Sequence, residues 1–189
     1  EVYAGENRYQ DCADLLAGLN GKYSLHGKYN ELFLADNHKC TDEIIWSIEQ
    51  DGNNVQSYGV TNYIIFACTG GDIDTKEIGI SSGWGGIRTT PEFYQMFDAA
   101  DQRELFWEEG HTLSIDDIST FSNGMGFQKF KNIQSNGEPG SDKGFVDVDF
   151  PVFRYADALL MKAECAKRGA TGVDGLAAFN AVRQRAGLD

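Results

Sequence analysis

The chain has 189 residues, 41% of them hydrophobic, and its 29 acidic against 16 basic side chains give a formal net charge of −13 at pH 7. That length and apolar content support one sizeable core. The acidic balance excludes the clustered Lys/Arg surface that nucleic acid or an anionic membrane requires. No apolar run approaches the roughly 18 residues of a membrane span, and Glu1-Val2-Tyr3 carries no leader pattern.

Tyr9, Cys12, Ala13 and Leu16 recur at helical spacing, which predicts an amphipathic helix from about Glu6 to Ala17, stopped by Gly18 and Gly21. Tyr23-Ser24-Leu25 leads to a helical turn with Tyr29, Leu32 and Phe33. Glu43 to Ile48, β-branched and aromatic, predicts a strand with Trp46 in the core. From Asp51 to Gly86, Gly52, Asn53, Asn54, Gly59, Gly70, Gly71, Gly79, Gly83, Gly85 and Gly86 interrupt the apolar runs. This predicts a long irregular excursion, and loops of that length inside a compact domain are functional or disordered. The interleaved Tyr58, Tyr63, Phe66 and Trp84 argue against disorder.

A helix-start signature follows at Thr89-Thr90-Pro91-Glu92, with Phe93, Met96, Phe97 and Ala100 on one face. Arg103 to Trp107 and Phe127 to Lys131 read as short strands, with Trp107 in the core, and Ser135 to Gly144 as an exposed loop. Pro151 predicts the start of a helix with Phe153, Ala156, Leu160 and Ala163 as its stripe, closed by Lys167-Arg168-Gly169. Asp174 caps a second helix, whose Leu176, Phe179, Val182 and Ala186 face one way until Gly187. The small residues Ala163, Ala166, Ala178 and Ala181 allow close approach. This αα-hairpin has the size of one tetratricopeptide repeat, about 34 residues, and such units stack in sets of at least about three. The helical architecture is therefore expected to be incomplete at both ends.

Cys12, Cys40, Cys68 and Cys165 form no Cys-x-x-Cys pair, so zinc and thioredoxin-like chemistry find no support. Cys12 and Cys165 sit on the apolar sides of helical patterns, as small hydrophobes.

Three stretches together resemble the SusD/RagB family. They are Asp149-Phe150-Pro151-Val152-Phe153-Arg154-Tyr155-Ala156-Asp157-Ala158-Leu159-Leu160-Met161-Lys162-Ala163-Glu164 leading to Asn180 through Leu188; Gly83-Trp84-Gly85-Gly86-Ile87-Arg88-Thr89-Thr90-Pro91-Glu92 with Phe97, Asp101 and Arg103; and the looser Tyr23-Ser24-Leu25, Leu32-Phe33 and Glu43-Ile44-Ile45-Trp46. The resemblance implies a C-terminal fragment of a lipid-anchored outer-membrane protein on the cell face. Such a protein holds oligosaccharide or polysaccharide for a SusC-like TonB-dependent transporter and cleaves nothing. The implied fold is mainly α, with tetratricopeptide-like hairpins, an irregular loop-rich lobe and a few short strands. Residues 1–189 then form one region: a repeat helix plus strand in 1–50, the irregular ligand-side lobe in 51–148 and the αα-hairpin in 149–189. Neither the lipid-attachment cysteine nor the preceding repeats that the family carries occur here, and the charged helix that usually follows is absent after Asp189.

A sugar ring offers a flat C–H face flanked by hydroxyls, so a glycan site needs exposed aromatic faces beside hydrogen-bonding side chains. Residues 52–88 concentrate both: Tyr58, Tyr63 and Trp84 as platforms, with Asn53, Asn54, Gln56, Asn62 and Arg88 as polar partners. Trp84 also fits a packing role in which its flanking glycines permit close backbone approach, and Arg88 an ion pair with Glu92. A glycoside hydrolase needs two positioned carboxylates, and no spacing selects a pair. His26, His38 and His111 lack motif context, and neither Gly-x-Ser-x-Gly nor a phosphate loop occurs. Asp72-x-Asp74 and Asp147-x-Asp149 lack the Gly and terminal Glu of a calcium loop. No cofactor or metal is expected. The alternative from another class is a protein-interaction scaffold built on the helical hairpins.

Overall fold

The computed structural model describes residues 1–189. The chain is mainly helical with a few short strands, and it divides into two compact units: Glu1–Tyr29 with Cys40–Ser47 and Pro151–Asp189, and Asn30–Lys39 with Ile48–Phe150. The two ends of the chain thus share a unit, and the glycine-rich middle, joined by residues 30–39, forms the other.

In the first unit, α1 (Val2–Gly5) ends before Asn7, whose φ of 61° breaks the helix, so α2 spans Tyr9–Ala17 instead of starting at Glu6. Its buried Cys12, Ala13 and Leu16 pack with Ala158 and Cys165. Strands β1 (Ile44–Ile48) and β4 (Phe150–Arg154) pair in a two-stranded sheet. Pro151 therefore lies in a strand, and the helix expected there, α6, begins four residues later at Tyr155–Lys167. A proline in a two-stranded ribbon removes no ladder bond that a central strand would need. Trp46 departs from its expected core position. It is 55% exposed and rests on Phe153 at 5.9 Å between centroids, because one face of this narrow ribbon has no layer over it.

Helix α7 (Gly175–Arg185) is capped as expected: Asp174 accepts from the Ala177 N–H at 2.9 Å. A Cβ on Gly175 would lie 2.5 Å from Ala166 Cβ, so α6 and α7 meet through their small residues. Each expected stripe is interior only in part: Ala156, Val182 and Ala186 are buried, together with Leu159 and Ala178, whereas Leu160, Leu176 and Phe179 are exposed. The charged centre of this unit is Glu43, fully buried, whose carboxylate accepts from Arg154 Nη1 at 3.2 Å, Arg185 Nη1 at 2.6 Å and the His26 N–H at 2.7 Å.

The second unit corrects the reading of residues 51–86 as irregular throughout. Helix α3 (Val60–Ala67) and the single turn α4 (Thr75–Ile78) lie inside it, and Ile65, Phe66, Ile73, Ile78 and Ile80 form the core with Ala35, Val146 and Val148. Trp107 packs against that core, as expected. Helix α5 is shorter than its apolar stripe suggested, only Pro91–Tyr94. Its cap is Thr90, while the Thr89 hydroxyl donates to the Met125 carbonyl at 2.8 Å. Strands β2 (Phe106–Trp107) and β3 (Gly126–Phe127) pair antiparallel, each shorter than the predicted runs.

With so little ladder, the backbone of this unit needs other partners, and buried side chains supply them. Along the extended segment 146–149, the Val146 N–H donates to Asn62 Oδ1 at 3.0 Å, the Asp147 N–H to Asn132 Oδ1 at 3.0 Å and the Asp149 N–H to Asn37 Oδ1 at 3.1 Å. Thr61 Oγ1 donates to the Val148 carbonyl and Asn37 Nδ2 to the Asp149 carbonyl. Asn132 Nδ2 further binds the carbonyls of Gly79 and Asp142 at 3.0 and 2.9 Å. Side-chain amides here do the work that a neighbouring strand does in a sheet.

Candidate functional site

The expected site residues all fall in the second unit. Helix α3 sets the arrangement: its Thr61, Asn62, Ile65 and Phe66 are buried, whereas Tyr63 is 50% exposed. Asn62, read from sequence as a polar partner for a ligand, is instead inside, clamping Val146. The free carbonyls at the end of α3 are covered by the segment Trp84 to Ile87. The Trp84 N–H donates to the Phe66 carbonyl at 2.8 Å, Gly85 to Thr69 at 2.9 Å, and Gly86 and Ile87 to Ala67 at 2.8 Å each. This crossing requires glycine: a Cβ on Gly83 would run into the Thr69 carbonyl, and Gly85 has a φ of +66°.

That backbone clamp lays Trp84 against α3. Its ring is 5.2 Å from Phe66 and 6.1 Å from Tyr63 between centroids, yet it remains 47% exposed. Trp84 therefore both packs and presents a face, and with Tyr63 it forms an exposed aromatic pair. Tyr58, just ahead of α3, is 70% exposed and rests on Phe145 at 5.1 Å.

The polar candidates divide. Arg88 does not pair with Glu92. Its Nε donates to the Asn123 carbonyl at 2.7 Å and its Nη2 to that of Ile118 at 3.0 Å, with the guanidinium 5.4 Å from the centroid of Phe121. It holds the loop 118–123 to the segment that carries Trp84. Asn54 Nδ2 donates to Asp51 Oδ2 at 2.8 Å, and this bond, with the N–H groups of Asn53 and Asn54, holds the Asp51 carboxyl below the usual carboxylate range. Gln56 donates to the Gly52 carbonyl. Asn53 is exposed and lines a cavity of about 350 Å³ with Asp36, Lys39, Gln50 and Gln134. No hydrogen bond or ring contact joins Asn53 or Asn54 to the Tyr63–Trp84 pair. Sequence reasoning missed this cavity, whose walls come from residues 35–39, 50–53 and 134–147. No local motif marks such a convergence.

The residues contain no group of three His, Cys, Asp or Glu side chains arranged to hold a metal ion. Asp147 instead accepts from the Gly52 and Ser141 N–H groups, and Asp149 from the Gln50 N–H.

Residues 101–189 match the SusD family model. Over 98% of its length the chain is 28% identical to the starch-binding protein SusD of Bacteroides thetaiotaomicron, of which it spans 42%. Its fold is similar to surface glycan-binding protein A of Bacteroides fluxus, with a TM-score of 0.73 at 22% identity, covering 98% of this chain and 42% of that one. It is also similar to surface glycan-binding protein A of Bacteroides thetaiotaomicron in complex with laminarihexaose, with a TM-score of 0.69 at 20% identity, covering 98% and 44%. A SusD superfamily protein from Parabacteroides distasonis gives 0.69 at 20% identity, covering 100% and 41%. The chain thus matches the SusD family model over residues 101–189 and is similar along nearly its whole length to SusD in sequence and to SusD-like proteins in fold.

Proposed function

We propose that this chain is part of a non-catalytic glycan-binding protein of the outer cell surface, which takes oligosaccharide or polysaccharide and passes it to a SusC-like TonB-dependent transporter. The whole protein would be held at the outer membrane by a lipid anchor. The similarity to proteins named for starch and glycan binding supports the ligand class.

The observation that carries the reading is the half-exposed Tyr63–Trp84 pair, fixed by the clamp at the end of α3. Two aromatic faces held by backbone hydrogen bonds lose little freedom when a sugar ring settles on them, so burial of the C–H face is not offset by ordering cost. Tyr58 is a third platform, Asn53 and Asn54 are hydrogen-bonding partners, and Arg88 acts through the loop it fixes. The relatives are named as binding proteins, and this supports the non-catalytic reading.

The test is binding to a polysaccharide panel by affinity electrophoresis and calorimetry, repeated with Tyr58→Ala, Tyr63→Ala and Trp84→Ala. A glycan bound by the parent and lost or weakened about tenfold in Tyr63→Ala and Trp84→Ala supports the site. Unchanged affinity in all three removes it, and release of reducing sugar would overturn the non-catalytic reading.

A further inference from the structure

Within the first unit, three side chains outside the glycan site form a line. Cys40 Sγ lies 3.7 Å from His26 Nε2, and His26 Nδ1 lies 3.0 and 2.9 Å from the two carboxylate oxygens of Asp42. An ionised carboxylate only accepts, so Nδ1 carries the ring proton and the Nε2 lone pair faces the thiol. A nucleophile, a base and a carboxylate that orients the base are thereby assembled. Cys40 is held rigidly, since its carbonyl accepts from the N–H groups of Glu43 and Ile44 at 3.2 and 2.9 Å. Glu43 also approaches His26, accepting its backbone N–H, and Arg154 and Arg185 in turn pair with Glu43.

The remaining cysteines lack such a base. Burial pushes the Cys68 thiol up to about 11, and burial together with the neighbouring Cys12 pushes Cys165 up to about 11. Cys40 is 4% exposed and lines neither the 360 Å³ nor the 340 Å³ cavity of its unit. So little exposure suits a small electrophile reaching sulfur past the His26 ring, which is 20% exposed.

We infer that Cys40 is a modification site for small hydroperoxides, with His26 as its base and Asp42 orienting the base. Cys40 passes its proton to His26 Nε2, and the thiolate sulfur attacks one peroxide oxygen. The S–O bond forms as the O–O bond breaks, and the departing hydroxide or alkoxide takes the proton from Nε2. Sulfur is oxidised by two electrons to the sulfenic acid, and the peroxide is reduced to water plus the transferred oxygen, or to alcohol.

The test is exposure of the folded protein to limiting hydrogen peroxide with dimedone, followed by mass-spectrometric mapping of all four cysteines. Cys40 is expected to be labelled at least tenfold faster than Cys68 and Cys165. His26→Gln, and the milder Asp42→Asn, should each slow Cys40 labelling at least fivefold. Labelling of Cys40 no faster than Cys68, or unchanged in a folded variant, overturns the assignment. Should neither variant fold, the ranking of the cysteines in the unaltered protein decides, and labelling of Cys40 no faster than Cys68 rejects it.

Discussion

Tyr63 and Trp84 meet at 6.1 Å between centroids with their planes 57° apart, although 20 residues of glycine-rich chain separate them. The pair exists because the N–H groups of residues 84–87 satisfy the last carbonyls of α3, and not because the two rings drive one another together. Its geometry is thus set by the backbone.

Gly83→Ala therefore disables the pair without touching either ring. The added Cβ runs into the Thr69 carbonyl and lifts the segment off α3. Glycan affinity should fall at least as far as in Trp84→Ala, with a blue shift lost or gained in Trp fluorescence marking the displaced indole. Native affinity in Gly83→Ala would show that the clamp does not position the site.

Glu43→Gln tests the charged centre of the first unit. Two guanidinium groups and the His26 N–H converge on a carboxylate with no solvent exposure. Removing one partner from a buried ion pair costs about 3–5 kcal/mol. A large drop in the urea midpoint, read by circular dichroism, is the expected outcome.

Asn132→Leu tests the clamps of the second unit. It preserves bulk but leaves the carbonyls of Gly79 and Asp142 and the N–H of Asp147 without partners. Each buried unsatisfied group costs about 1–3 kcal/mol. The variant should unfold at markedly lower denaturant, whereas Asn136→Leu, in the exposed loop, should leave the midpoint near the parent's.

Acid should weaken the second unit through Asp36. Burial works against its charge, but the Ser135 hydroxyl and N–H at 2.7 and 2.8 Å and Lys39 at 3.3 Å outweigh this and hold its carboxyl below the usual value. A depressed carboxyl stabilises the fold above its unfolded value of about 3.9, and that contribution disappears as pH falls through the folded value. Asp36→Asn should be less stable than the parent at pH 6, and the difference should shrink below pH 4 in urea titrations.

Much of the helical unit was legible. The Tyr9–Leu16 stripe, the Asp174 cap and the small residues of the hairpin are local signals, and each appears in the structure. Pro151 misled because a proline at a helix start and a proline in an edge strand have the same local signature, and only the partner β1 decides between them. Trp46 misled for a related reason: which ribbon face lacks a covering layer is a tertiary fact.

In the second unit, the apolar run Val60–Ala67 is too short and too continuous to show a helical period, so α3 was hidden among glycines. Tyr58, Tyr63 and Trp84 were readable as candidate aromatics in a glycine-rich stretch, and all three are exposed. That Asn62 is structural and Asn53 exposed was not, because the distinction depends on residues 146–149, far along the chain.

Helix α3 has one further consequence. Thr61 and Asn62 belong to the frame, while their neighbour Tyr63 belongs to the surface, so adjacent positions answer to different demands. Substitutions of the exposed Tyr58 and Tyr63 would alter the proposed ligand face at little cost to folding. Changes at 61, 62 or 132 would threaten the lobe whatever the ligand. A scaffold divided in this way would let its surface vary while keeping its shape.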